Sequence, residues 1–397
     1  MNGEIDLPAS KSECNRALII QQLLESDDSV GNISAAADTV TLQRILRQYN
    51  SGLSCFDVGP AGTTMRFLTA YFATQKGVQE LTGSERMKER PIHILVDALR
   101  KLGAQISYLG KEGYPPIRIE ESYIKGGAIT IDGGVSSQYL SALMLVAPHF
   151  EKPLTINIEN DLVSRPYLEM TASLMHHFGA TVDLYSDKVS VAPSRYVQRK
   201  FNVESDWSAA SYWYQMIAYV DSGNVFLKGL KEETLQGDAV LASIFNSFGV
   251  TTSYEEGGVR LTKQRKILPK SFQYDFTLCP DLAQTVAVTC AGLGIEAVLT
   301  GLKTLKIKET DRIEALQNEL KKLGVNSFGE SDSLHIQGGR VLIGTSVATY
   351  HDHRMAMAFA PLAINTQTIS IENPEVVEKS YPSFWTDLEK VGFLINP

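Results

Sequence analysis

Cysteine is scarce: the 397 residues hold four (Cys14, Cys55, Cys279, Cys290), far apart and with no CxxC spacing. That excludes a disulfide framework and a zinc ribbon. It suits a reducing compartment, so a cytoplasmic location is expected. Basic charge is in deficit, with 37 Lys and Arg against 45 Asp and Glu and a formal net charge of −8. A general nucleic-acid or anionic-membrane binder is disfavoured, because phosphate surfaces select for net positive partners. No apolar run approaches the ~20 residues that span a bilayer. The opening MNGEIDLPASKSECNRALII lacks the basic-then-apolar order of a secretory signal. What is present is 44% hydrophobic and 21% charged residues, the balance of a globular protein. The length is too great for one ordinary core, so two domains are expected.

Two phrases alternate along the chain. One is an apolar strand, a polar loop and a helix closing in an apolar residue plus Gly. It is clearest in VLTGLKTLKIKETDRIEALQNELKKLG and LTGSERMKERPIHILVDALRKLG, and it closes at Gly52, Gly103, Gly179, Gly249, Gly324 and Gly392. Ile313, Leu316, Leu320 and Leu323 make one apolar helical stripe, as do Ile92, Leu95, Leu99 and Leu102. Leu168, Ala172, Met175 and Phe178 nearly repeat it. Pro91, Pro166 and Pro382 are expected in the first helical turn, where the missing N–H is harmless. The closing glycines suit left-handed C-caps.

The second phrase is a short strand, a polar loop and a more apolar helix. Its copies begin at IDLPASKSECNRALII, FDVGPAGTTMRFLTA, ITIDGGVSSQYLSALM, FNVESDWSAASYWYQM, YDFTLCPDLAQTVAV and ATYHDHRMAMAF. A hairpin pattern such as VTTSYEEGGVRLTK follows four of the closing glycines. The unit is therefore βαβαββ, present six times, with the first and sixth shortened. The fold class is α/β (α+β type), two globular domains of three units each, with the main crossing between Val197 and Asp206.

Unusual polar residues gather in loops just before helices, where N–H groups and the helix dipole favour anions. Each loop has a plain reading. SKSECNR reads as a capped helix start, MKERP as a charged first turn, and KETDR as an exposed ion-pair lattice. The Ser136-Ser137-Gln138 run reads equally as capping or binding. His351 and His353 in HDHR lack a third metal ligand in view. SYWYQM (Tyr212, Trp213, Tyr214) reads as core packing.

Together, however, LPASKSECNRA, GPAGTTMRFLTA, LTGSERMKERPIHILVDALRKLGA, GYPPIRI, DGGVSSQYLSALM, NDLVSRPYLEMT, PDLAQT, IKETDRIEA, YHDHRMAMAF and the late Lys379-Ser-Tyr-Pro run in order from residue 3 to residue 393. In this the chain resembles the EPSP synthase family of enolpyruvyl transferases. The resemblance implies the inverse α/β-barrel-like EPSP synthase fold. One domain would span 10–203, a discontinuous one 1–9 and 204–397, with the active site in the cleft between them. The implied reaction moves the enolpyruvyl group of phosphoenolpyruvate to the 5-hydroxyl of shikimate 3-phosphate and releases phosphate. It goes through a tetrahedral intermediate, with no cofactor and no metal. The expected partners are these two substrates alone, with no nucleic acid and no membrane, and the chain is expected to be a monomer.

By the resemblance, Lys11, Ser12, Arg16, Ser136, Ser137, Gln138, Ser164, Tyr167, Asp281 and Lys308 hold shikimate 3-phosphate. Lys11, Gly62, Arg90, Gln138, Glu309, Arg312, His353, Arg354 and Lys379 hold phosphoenolpyruvate. Asp281, Glu309 and Lys11 are the implied catalytic groups, with Glu309 protonating the methylene and Asp281 taking the hydroxyl proton. Gly62 lies where a side chain would crowd phosphoenolpyruvate or the herbicide glyphosate. The chain departs from the family pattern at Pro60 and Thr304, where Asn is usual, and at Ala9, where Gly is common. Relatives usually carry one more short strand before this start, so an uncovered sheet edge is expected in the discontinuous domain. Two other functions compete. Transfer to a UDP-amino sugar uses a loop cysteine as general acid, whereas Cys14 and Cys55 sit beside expected core elements. A non-catalytic repeat scaffold would not need the acid/base candidates retained here.

Overall fold

The computed structural model describes residues 1–25, 29–134, 136–339, 341 and 345–396. The chain forms two compact units, Ser10–Val203 and Met1–Ala9 with Glu204–Pro397.

In the Ser10–Val203 unit, two full copies of the repeat each make a four-stranded sheet. One copy runs Cys55–Asp57, helix Gly62–Phe72, Val78–Thr82, helix His93–Leu102 and the hairpin Gln105–Tyr108/Ile117–Glu120. The first two strands pair in parallel, and the hairpin then joins antiparallel through its second strand. The second copy repeats that order with Gly127–Asp132, Leu154–Glu159, Val182–Leu184 and Lys188–Val191. A shortened copy has helices Lys11–Leu23 and Ala37–Asn50 and only a two-stranded sheet. The helices Lys11–Leu23, Gly62–Phe72 and Ser137–Val146 pack on one another. Ser137–Val146 is apolar nearly all round, and such a helix belongs inside a core. The amphipathic helices pack around these three with one stripe inward: Leu95 and Leu99, and Leu168 and Met175, are fully buried.

The Met1–Ala9/Glu204–Pro397 unit is built likewise. Its sheets run Asn2–Asp6, Asn224–Lys228, Gly258–Lys263, Val250–Glu255, and Ser271–Asp275, Glu296–Thr300, Leu334–Gly339, Val325–Gly329. A shortened copy pairs Ser346–Val347 with Ser370–Ile371. Helices Trp207–Tyr219, Ala283–Leu293 and His353–Phe359 form the centre, and Tyr212, Trp213 and Tyr214 are core residues.

Three local expectations are corrected. The strand expected to open the fourth copy, Phe201–Asn202, instead pairs with Val30–Gly31. The N-terminal strand Asn2–Asp6 takes its place, with Ile5 opposite Leu227. A short apolar strand carries no local mark of which sheet receives it, so the pattern alone could not show this exchange. Pro166 does lie in the first turn of its helix, but Pro91 and Pro382 precede the N-caps Ile92 and Ser383. Cys55 is exposed, with its thiol donating to Glu80, rather than packed against a core. Gly103 closes its helix in the left-handed region at φ 114°, and the closing glycines of the other five copies also have positive φ.

Candidate active site: two clusters of charge at helix starts

In the Ser10–Val203 unit, four helices begin side by side. Gln138 Nε2 donates to Thr63 Oγ1 at 3.1 Å, tying the first turn of Ser137–Val146 to that of Gly62–Phe72. One turn deeper, Arg16 ties three helices. Its guanidinium donates to Thr171 Oγ1 (2.7 Å), Ser141 Oγ (3.2 Å) and the carbonyls of Ser12 (2.7 Å) and Tyr167 (3.4 Å). The rings of Phe67 and Tyr167 flank it. Burial lowers Arg16 to about 10, against the opposing pull of Tyr167 and Glu13, so it stays cationic at neutral pH.

Ser10 caps the first of these helices through Glu13 N, and Lys11 follows as its first residue, with Ser12 after it. Lys11 Nζ stands 3.3 Å from Asp38 Oδ2, in the first turn of Ala37–Asn50. Ser136 caps Ser137–Val146 by accepting from Gln138 N, and Ser137 is buried at the first position. Ser164, left-handed at φ 60°, stands at the start of Arg165–His177 without using its hydroxyl as a cap, and Tyr167 lies in that first turn. Gly62 opens Gly62–Phe72, and a Cβ there would fall 2.8 Å from Arg90 Nη1 and 3.1 Å from Arg66 Nη1. The missing side chain therefore makes room for two guanidinium groups at one helix start. Arg66 also donates to the Gly62 carbonyl (3.0 Å). By contrast, Arg86 and Lys88 form exposed pairs with Glu89 and Glu85.

In the other unit the charged residues form one network. Arg312 opens Arg312–Lys322, capped by Asp311. It donates from Nε to Asp352 Oδ2 (2.6 Å), from Nη2 to Glu309 Oε2 (3.0 Å) and from Nη1 to Asp281 Oδ1 (3.3 Å). Arg354 Nη2 meets Asp281 Oδ2 at 2.9 Å, and Lys379 Nζ meets Glu309 Oε1 at 2.6 Å. KETDR is thus no exposed lattice, because the Arg312 side chain is 2% exposed. Burial works against the charge on Arg312, but Asp352, Glu309 and Asp281 outweigh it and hold the guanidinium well above its ordinary value. His353 is buried beside Asp352, with Nδ1 3.6 Å from Oδ1, while His351 is exposed. Lys308 is half-buried just ahead of Glu309. Among the described residues, no group of three or more His, Cys, Asp or Glu could hold a metal ion.

Sequence reasoning missed two carboxylates that hold these cations, Asp38 and Asp352. Asp352 was readable as the N-cap Asp of a helix, where its side chain accepts from Arg354 N. Asp38 carried no signal, since its meaning depends on a lysine 27 residues away.

The architecture is found among solved EPSP synthases. A structure from Acinetobacter baumannii matches with a TM-score of 0.79 at 22% identity, covering 100% of this chain and 96% of that one. This likeness concerns the fold. Residues 43–388 match the family model described as EPSP synthase (3-phosphoshikimate 1-carboxyvinyltransferase). A 3-phosphoshikimate 1-carboxyvinyltransferase of Bacteroides fragilis is 49% identical, over 100% of this chain and 97% of the relative. One of Actinobacillus pleuropneumoniae is 36% identical and one of Photobacterium damsela subsp. piscicida 34%, each over 99% of this chain and 97% of the relative. The chain belongs to the EPSP synthase family. Its function is that family's enolpyruvyl transfer in the shikimate pathway, which leads to aromatic amino acids.

Proposed function

We propose that the two clusters act on one pair of substrates, shikimate 3-phosphate and phosphoenolpyruvate. The products are 5-enolpyruvylshikimate 3-phosphate and phosphate. The helix starts of the 10–203 unit, with Lys11, Ser12, Arg16, Ser136, Ser137, Gln138, Ser164 and Tyr167, hold the first substrate, joined by Asp281 and Lys308. Phosphoenolpyruvate is held by Arg90 over Gly62 and by Arg312, His353, Arg354 and Lys379, with Lys11 and Gln138 between the two substrates. The supporting observation is the Arg312 network, in which two carboxylates suited to proton transfer are already held by the cations that would bind an anionic substrate.

That arrangement supports a sequence of proton movements. In the free protein Arg312 and Lys379 each pair with an oxygen of Glu309. Substrate carboxylate and phosphate compete for the same cations and free that carboxyl group to carry the proton it transfers. Glu309 then gives a proton to the methylene carbon while the 5-hydroxyl oxygen bonds to C2 and Asp281 takes the hydroxyl proton. The tetrahedral adduct collapses when the new methyl group returns a proton and phosphate leaves, its charge offset by the arginines. Four free cysteines support the further reading of a cytoplasmic enzyme. No helix among the described residues is long and apolar enough to cross a membrane. We propose a monomer, since both clusters come from one chain.

A phosphate-release assay tests the reading. Release is expected with phosphoenolpyruvate plus shikimate 3-phosphate. Release only with a UDP-amino sugar, or with neither acceptor, overturns it. Gly62→Ala is a second check. Its methyl displaces the Arg90 guanidinium, so the KM for phosphoenolpyruvate is expected to rise roughly tenfold, about 1.4 kcal/mol. Glyphosate inhibition should weaken by more. Inhibition constants and KM equal to those of the parent would reject the role of Gly62.

A further inference from the structure

Residues 348–352, just ahead of the His353–Phe359 helix, make a turn that their side chains do not favour. The Asp352 amide donates to the Thr349 carbonyl (2.9 Å). Between them Tyr350 and His351 both stand in the left-handed region, at φ 54° and 55°. A turn with positive φ at both central residues is usually filled by Asn and Gly, because a larger side chain is crowded there. Such backbone persists only where its surroundings hold it. Here the holder is Glu319, whose side chain is fully buried. The Tyr350 hydroxyl donates to Glu319 Oε1 (2.7 Å), and the Ala348 amide donates to Oε2 (3.2 Å). Thr349, between the two tethered residues, is buried as well. Burial first, then the bond to Glu319, pushes the Tyr350 hydroxyl up to about 12, so it is a donor at neutral pH. Glu319 lies on the Arg312–Lys322 helix, two turns from Arg312 on the same face. Beyond the turn, Arg312 Nε donates to Asp352 Oδ2 (2.6 Å). One helix therefore fastens this segment at both ends. Asp352 Oδ1 also accepts from the Arg354 amide (2.9 Å), so the same anchor sets both arginines.

We propose that Glu319 and Tyr350 are positioning residues for phosphoenolpyruvate. They clamp the strained turn and, through Asp352, hold Arg312 and Arg354 where the substrate binds. This deepens the reading above and rests on its assignment of both arginines to phosphoenolpyruvate. Neither positioning residue has to touch the substrate. Without the hydroxyl tether, Tyr350 and His351 relax toward the right-handed or extended backbone that such residues prefer. Asp352 follows the backbone, and the two guanidinium groups lose the carboxylate that sets their spacing. Binding of an anion that needs both of them then weakens, while the rest of the fold keeps its core.

The test is Tyr350→Phe, which keeps the ring and removes only the tether. At saturating shikimate 3-phosphate, its KM for phosphoenolpyruvate is expected to rise about tenfold, the loss of one hydrogen bond to a carboxylate. Calorimetric binding of shikimate 3-phosphate alone should match the parent. A lowered melting temperature with the parent's phosphoenolpyruvate KM would make the tether a matter of stability only and overturn the proposal. Tyr350→Phe/His351→Gly is the rescue. Glycine enters the left-handed region without strain, so this protein should regain most of the lost KM. A KM that stays at the Tyr350→Phe value counts against a clamp on a strained turn. Should Tyr350→Phe fold poorly, Glu319→Asp gives a second reading. It keeps the charge but falls one methylene short of the turn, so the phosphoenolpyruvate KM should rise, and the parent's value there counts against Glu319. An Arg354→Lys enzyme separates the two layers. An unchanged phosphoenolpyruvate KM there means the assignment of Arg354 fails, whereas a raised KM beside a parental value for Tyr350→Phe overturns only the clamp.

Discussion

Arg312→Ala is expected to abolish phosphate release and to lower unfolding stability by about 3–5 kcal/mol, the cost of removing one partner from a buried ion pair. The guanidinium donates to Asp352, Glu309 and Asp281 together. Asp352 is fully buried, so the alanine variant leaves an anion with neither this cation nor water. Asp281 and Glu309 would each lose one of the cations that hold them, keeping Arg354 and Lys379 respectively. Arg312→Lys restores a charge but not the planar fork, and one ammonium cannot serve three carboxylates in that geometry. It should recover part of the stability and little of the turnover. Denaturant unfolding and the phosphate assay read the two effects separately. An alanine variant with wild-type stability would show that the network is not a unit.

Lys11→Ala should behave differently, losing turnover by about a thousandfold with little loss of fold. Among the described residues Lys11 makes one ion pair, with Asp38, and its side chain keeps 17% exposure, so it carries little packing. Its value lies in placing a mobile positive charge at a helix start, where the dipole and free N–H groups add to it. Arg90→Ala should resemble it, because the space over Gly62 is occupied by that guanidinium. Circular dichroism melting within a few degrees of the parent is the expected accompaniment. A folded Lys11→Ala or Arg90→Ala protein with the parent's rate would remove that residue from the site.

Much of the local architecture could be read in advance because it rests on short-range rules. The stripe Ile313, Leu316, Leu320, Leu323 is buried, as a helix with one apolar face must be. Tyr212, Trp213 and Tyr214 read as core and are core. The four hairpins follow the glycines after which they were expected. The misreadings share one cause. Pro91 and Pro382 fit the composition of a helix start yet lie one residue ahead of the N-caps Ile92 and Ser383, a boundary that composition alone does not fix. KETDR looked like a solvated ion lattice because the i, i+4 spacing of Lys308 and Arg312 says nothing of the Asp352 that reaches Arg312 from 40 residues away.

By itself, the sequence determined the repeat, the helix and strand classes, the closing glycines and the family, since each depends on neighbours within one turn or on motifs in order. Only the tertiary structure decided that Asn2–Asp6 and Phe201–Asn202 exchange sheets, and that Asp38 and Asp352 are the anions holding Lys11 and Arg312. Strand pairing and buried charge are settled by groups far apart along the chain, whose energies exist only after folding has brought them together and removed the water between them.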